Sequence, residues 1–266
     1  MNSRWSERQR EMLAAMDVRL FEAAQAVRAE LVEAPAPDQA LRQAQGERSA
    51  GLPSAGSDHP ECVEGQAQPE RADHIATLDW PALRQAVAGC RACALCESRT
   101  HTVFGVGHEH ARLMIVGEAP GEQEDRQGEP FVGQAGKLLD NMLRAIGLAR
   151  AAAEPERAVF ICNTLKCRPP RNRNPDPSET ARCAPFLERQ IELLQPKLLL
   201  AMGRFAAQAL LGGDEAIGKL RGRVHQRRGL PVVVTYHPAY LLRTLADKAR
   251  AWDDLCLAAS VLELPR

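Results

Sequence analysis

Four cysteines in this chain have the spacing of metal ligands. Cys90 and Cys93 form a C-x2-C pair, Cys167 follows after a gap of 73 residues in K-C-R-P-P, and Cys183 follows after 15 more. A C-x2-C on a tight loop supplies two thiolates, and distant cysteines complete the set if the fold brings them in. Spacing alone does not choose the metal. Zinc sites usually pair two short C-x2-C units, and the irregular arrangement here fits an iron–sulfur cluster at least as well. Cys96 adds ambiguity, because Cys93 and Cys96 make a second C-x2-C frame. Cys162, in an apolar run, and Cys256, in a helical pattern, read as small buried hydrophobes. Cys62 lies in a polar stretch and reads as a bystander.

A second group of residues could line a polar pocket. It comprises G-E-A-P-G-E-Q-E-D (Gly117 to Asp125), P-F-V-G (Pro130 to Gly133), Asn163 at the end of an apolar run, and H-P-A-Y-L-L-R (His237 to Arg243). The elements that must position these groups are legible as four short apolar runs, RLMIVG (112–117), AVFICNT (158–164), KLLLAM (197–202) and PVVVT (231–235). Between and after them stand helical patterns at 135–148, 178–194, 203–211 and 240–262. Strands alternating with helices predict an α/β fold: three layers, α/β/α, around a short, mostly parallel central sheet of about four strands. Ligands of such sheets bind beyond the carboxyl ends of the strands. The GEAPG turn, Asn163 and the HPAYLLR loop each follow a strand, so they should converge on one edge despite their distance in sequence.

Composition bounds the rest. Of 266 residues, 45% are hydrophobic, enough for a sizeable core, and the formal net charge is zero. Residues 1–75 hold 13 Asp/Glu and 8 Lys/Arg; the remainder holds 21 and 26 and is net positive by five. This balance argues against wholesale electrostatic binding to nucleic acid but leaves room for a local basic surface. No apolar stretch follows Met1 to suggest export, and none approaches a membrane span in length. A cytoplasmic setting is expected, where thiols stay reduced and serve metals rather than disulfides. Residues 1–33 carry a helical pattern of unknown role. Residues 34–75 are rich in Ala, Pro, Gln, Gly and Glu and read as a disordered linker. The working domain is expected over residues 76–266.

The combination GEAPGEQED, GEPFVGQAG, ICNTLKCRPP and YHPAYLLR resembles the family 4 uracil-DNA glycosylases, which carry a four-iron four-sulfur cluster. The similarity spans roughly Val87 to Leu245. It implies a uracil-DNA glycosylase-like fold and a repair enzyme that flips uracil out of single- or double-stranded DNA and hydrolyses its N-glycosidic bond. It also implies Cys90, Cys93, Cys167 and Cys183 as cluster ligands, with Cys96 a spare thiol. A monomer is expected.

Within that resemblance each pocket residue acquires a task. Phe131, read as lying on an exposed turn, would stack on the base. The Asn163 amide would pair with uracil O4 and N3–H, a pattern that cytosine reverses. His237 would donate to O2 of the departing base. The backbone of Glu118 and Ala119 would bind the base carbonyls. Some relatives in the wider superfamily carry a water-orienting Asp where this chain has Ala119, so Glu124 is the expected carboxylate. The competing mechanism relies mainly on leaving-group stabilisation. Glu124 and Asp125 can equally be capping residues. Arg168, Arg171 and Arg173, and a second basic stretch from Lys219 to Arg228, suit phosphate contacts. Leu241 would fill the gap left by the flipped base or, equally, pack in the core of the last helix, and Arg243 would hold a flanking phosphate. No catalytic lysine stands in the matching motifs, so lyase activity is not expected. The loop LKCRPPRNRNPDPSE lacks the histidine of relatives that become trapped covalently on DNA. A non-catalytic iron–sulfur DNA-binding module is the alternative from a different class.

Overall fold

A computed structural model describes residues 68–264. The helical pattern of residues 3–33, Cys62 and the linker up to residue 67 lie outside the described residues. From residue 68 the chain is already helical. α1 (Gln68–Ala76) begins inside the stretch read as a linker, and its Ile75 is buried in the core. α2 (Trp80–Ala88) follows, capped by Asp79, whose carboxylate accepts the Ala82 N–H at 2.9 Å. The short α3 (Leu95–Ser98) comes next.

The sheet has six strands rather than four, in the order β1-β3-β2-β4-β6-β5. The four apolar runs form its centre as β2 (Leu113–Gly117), β3 (Val159–Asn163), β4 (Leu198–Met202) and β6 (Leu230–Thr235), paired in parallel. Two short strands, β1 (Val106–Gly107) and β5 (Val224–Arg227), close the edges in antiparallel pairing. Every residue of β2, β3 and β4 is buried, which is why they read as continuous apolar runs. β5 (VHQR) alternates exposed and half-buried positions and carried no such signal.

Side chains alternate between two cores. Met114, Val116, Phe160 and Leu199 face a cluster containing Leu83, Leu95, Phe186 and Leu210. Leu113, Ile115, Val159 and Leu200 face one containing Leu139, Met142, Trp252 and Leu255. Helices therefore cover both faces. α6 (Pro177–Leu194) and α7 (Arg204–Leu211) serve the first; α5 (Gln134–Ala145) and α10 (Lys248–Val261) serve the second. α6 starts at a capping box in which Asp176 accepts from Ser178 N at 2.8 Å and Glu179 accepts from Asp176 N at 2.9 Å. The helix expected over 240–262 is interrupted. A short α9 (Pro238–Leu241) ends before Thr244, which leaves helical geometry (φ −124°, ψ 78°), and α10 starts afresh at Lys248. The remaining helices are α4 (Glu122–Gln127) and α8 (Ile217–Leu220).

Register sets up the site. Gly117 of β2 pairs with Asn163 of β3, and Met202 of β4 pairs with Thr235 of β6. The GEAPG turn, Asn163, Gly203 and His237 therefore leave the sheet on one edge.

Candidate functional site

That edge opens into a cavity of about 860 Å³, lined in part by Glu118, Ala119, Glu124, Phe131, Asn163 and His237. Gly117 lies directly behind two of these side chains. A Cβ there would stand 2.3 Å from Asn163 Oδ1 and 2.7 Å from the Phe131 ring. Gly117→Ala should therefore displace both side chains. A shift of this size costs on the order of 10²-fold in turnover, and a variant with wild-type turnover would show that neither side chain positions substrate.

Asn163 is 2% exposed, and its Oδ1 has no hydrogen-bond partner among the described residues. A buried acceptor left open costs about 1–3 kcal/mol and needs a donor. Its backbone is fixed: Thr164 N donates to Gly117 O at 3.0 Å, and Asn163 O accepts from Lys166 Nζ at 2.6 Å.

Phe131 is buried, at 5% exposure, not on an exposed turn, and adopts a left-handed φ of 55°. Arg150 holds it there by donating to Pro130 O and Phe131 O, both at 3.0 Å, and is itself held by Asp140. Gly136 lets α5 approach closely, since a Cβ would stand 1.7 Å from Phe131 O. Arg150 belongs to none of the sequence motifs; nothing in its neighbourhood marks it before the fold is known.

His237 caps α9. Its Nδ1 accepts the Ala239 N–H at 3.2 Å, so in the neutral ring the proton sits on Nε2. Burial pushes its pKa down to about 4, with Arg243 adding to the depression and Glu124 opposing it. The ring stacks near Phe131, centroids 5.4 Å apart. The Glu118 carboxyl is raised by burial, against the pull of Arg204.

Glu124 lines the cavity, but its carboxylate is engaged. Oε1 accepts from Val132 N at 3.1 Å and Gly133 N at 3.3 Å, and Oε2 accepts from Gly121 N at 3.1 Å. It clips the GEAPG turn to the Phe131 loop, as its alternative reading as a capping residue has it. Asp125 is also a brace, accepting from Thr100 N at 2.9 Å.

Two DNA-contact expectations are corrected. Leu241 is fully buried in the core. That burial stabilises the fold by roughly 1.5–3 kcal/mol, which an intercalating role would forfeit. The exposed apolar residues flanking Arg243 are Leu242 and Leu245, at 43% and 62%. The second basic stretch is largely paired. Arg221 forks onto buried Asp254, Arg223 meets Glu215, and Arg227 and Arg228 both meet Glu188. Arg173 lines the cavity but is bonded to Glu179. Arg168 bonds Asn172, and Arg171 is exposed on the turn beside it; neither lines the cavity. Arg243 is exposed and lines it.

The cysteines gather elsewhere. Cys90, Cys93, Cys167 and Cys183, with Cys96, surround one small cavity walled by Val87, Leu95, Leu165 and Phe186. Among the described residues no three His, Cys, Asp or Glu side chains converge to hold a single metal ion; the thiols ring a cavity instead. Arg99 donates to Cys167 Sγ at 3.2 Å and Arg71, from α1, to Cys90 Sγ at 3.5 Å. Burial raises the Cys167 thiol to about 11 and Cys183 to about 12. Soft donors, apolar walls and cationic donors to sulfur fit a polynuclear thiolate-bound group of net negative charge. Cys162 is buried in β3 as expected, whereas Cys256 is exposed on α10.

Comparison with known proteins matches residues 104–256 to the model of the Uracil DNA glycosylase superfamily. The chain is 43% identical to a type-4 uracil-DNA glycosylase of Archaeoglobus fulgidus over 59% of this chain and 79% of that protein. It is 43% identical to one of Thermotoga maritima, over 62% and 83%. A Pyrobaculum aerophilum type-4 enzyme is 39% identical over 68% of this chain and 93% of its own length. With that match taking in the cavity-lining residues from Glu118 to Arg243, the chain belongs to the uracil DNA glycosylase superfamily, on its type-4 branch.

Proposed function

We infer that this chain is a monofunctional DNA-repair glycosylase that flips uracil out of DNA and hydrolyses its N-glycosidic bond, leaving an abasic site. The observation that carries the reading is the open Asn163 Oδ1 at the floor of a cavity shared with Phe131 and His237. Uracil presents the donor this acceptor lacks, at N3, and beside it an acceptor for Nδ2, at O4.

The mechanism follows from these groups. Phe131 offers a ring to the base. Backbone N–H groups of the turn at Glu118 and Ala119, which also line the cavity, would meet the base carbonyls. As the bond to the sugar breaks, charge builds on uracil O2, and the neutral Nε2–H of His237 stabilises it without a proton transfer. A neutral donor needs no titration at physiological pH. No carboxylate is free to act as a strong base at Glu124, so departure is driven mainly by leaving-group stabilisation. Glu124→Gln, which keeps the size and one acceptor oxygen, should lower turnover by about tenfold or less. Loss of a general base would cost about 10²–10⁴-fold, and a fall of that size would restore Glu124 to catalysis. Arg243, Arg168, Arg171 and the unpaired capacity of Arg173 contact phosphates, and exposed Leu242 and Leu245 replace Leu241 as the apolar wedge.

Cys90, Cys93, Cys167 and Cys183 would hold a four-iron four-sulfur cluster, with Cys96 spare. Bound there, it would supply a rigid tie between the loop before β1, which carries Cys90 and Cys93, the loop after β3, which carries Cys167, and α6, which carries Cys183. Cys167→Ala should lose iron and lower the melting temperature by several degrees, corresponding to more than about 1 kcal/mol. An iron-free, zinc-loaded and colourless wild type would remove the cluster. Reduced thiols and a DNA substrate suit a cytoplasmic monomer, with catalysis assigned to residues 76–266. Incubation with uracil-containing single- and double-stranded oligonucleotides, followed by alkali, is the test. Breaks at uracil support the enzyme, and intact strands favour a non-catalytic iron–sulfur DNA-binding module.

A further inference from the structure

Between the base cavity and the thiol ring lies a lysine that the mechanism above does not use. Lys166 is 2% exposed, and its Nζ donates to Asn163 O at 2.6 Å and to Gln190 Oε1 at 2.7 Å. Gln190 is fully buried and donates onward to Phe104 O at 3.0 Å. Both acceptors of the ammonium are neutral, and Lys166 has no ion pair among the described residues. Removing an ammonium from water without a counter-charge is costly. The thiol ring, whose cavity Lys166 lines, supplies a candidate anion. Lys166 lines that cavity, precedes Cys167, and interacts with Cys162 and Cys183. The same side chain therefore touches the backbone of the base reader and the wall of the cysteine site.

We propose that Lys166 is a positioning residue that couples the thiol-bound cluster to uracil reading. Its ammonium is the counter-charge for the anionic iron–sulfur–thiolate assembly, and through Asn163 O it fixes the amide whose Oδ1 is open for the base. This rests on the functional reading above. Four cysteinates outweigh the positive charge of an iron–sulfur core, so the assembly is an anion. Cluster and lysine stabilise each other, and the lysine sets Asn163. Outer-shell partners of this kind change metal retention by about 10–100-fold when removed.

The test uses the iron-loaded full chain and two readouts besides turnover: bleaching of the visible iron–sulfur absorbance by a chelator with a mild oxidant, and the inhibition constant of free uracil. Free uracil reports Asn163 without DNA or bond cleavage. Lys166→Met, which keeps length and removes the charge, should bleach about tenfold faster and raise the uracil inhibition constant about tenfold, with binding to abasic-site DNA unchanged. Gln190→Glu covers the case in which Lys166→Met does not fold. It gives Lys166 a carboxylate while leaving Asn163 O bonded, so bleaching should quicken and uracil inhibition should stay at the wild-type value. An iron-loaded, uracil-inhibited wild type whose folded Lys166→Met matches it in both readouts overturns the coupling alone. Gln190→Glu that bleaches at the wild-type rate also overturns it. A wild type without iron or without uracil inhibition overturns the underlying reading and the coupling with it.

Discussion

His237→Ala is expected to lower the rate constant for uracil excision by about 10²–10³-fold, the effect of deleting one donor aimed at developing charge, with much less change in KM. The donor matters because it is already in its working state. Ala239 N–H occupies Nδ1, so the neutral ring carries its proton on Nε2. Burial holds the pKa at about 4. The rate should therefore show no inflection from this ring between about pH 5 and pH 8. An inflection near the ordinary histidine value that vanishes in His237→Ala would contradict the neutral donor.

The same depression has a stability consequence. Between the unfolded value of about 6.5 and the folded value of about 4, the unfolded chain takes up a proton that the folded chain does not. This residue's contribution therefore declines as pH falls through that window and is constant above it. His237→Asn should accordingly gain stability relative to wild type as pH drops from 7 to 5, read as a narrowing difference in melting temperature. A difference that widens would place the ring in a charged, paired state.

Asn163→Asp should lose both rate and selectivity. The carboxylate keeps an acceptor for N3–H but presents oxygen to O4 in place of the Nδ2 donor. Each mismatched buried group costs about 1–3 kcal/mol, or roughly 10- to 100-fold. Excision of uracil should fall by at least about tenfold, and the ratio of uracil to cytosine excision should fall further. The site is sensitive because Asn163 is nearly inaccessible to solvent and its Oδ1 has no other partner among the described residues. Retention of wild-type rate and selectivity would take Asn163 out of base reading.

The centre of this fold was legible because parallel strands buried on both faces leave continuous apolar runs, and all four runs are strands. Their order of use then placed Asn163, His237 and the GEAPG turn on one edge. The edge strands were not legible. β1 has two residues, and β5 overlaps a basic stretch whose arginines bond acids on other elements. Leu241 could be read either as a wedge or as a core residue, because an apolar side chain four residues after His237 suits both; the structure buries it and leaves Leu242 and Leu245 exposed. The bracing bonds of Glu124 were not legible because its partners include backbone N–H groups eight and nine residues on, at Val132 and Gly133, which no residue type advertises. Arg150 and Lys166 act on carbonyl oxygens, and carbonyls leave no trace in a sequence.

A crystal structure of the protein with free uracil bound tests the central claim most directly. Uracil should lie on the Phe131 ring with N3 within hydrogen-bond distance of Asn163 Oδ1 and O2 toward His237 Nε2. Uracil bound outside this cavity, or inside it with Asn163 Oδ1 still unpaired, would contradict the account.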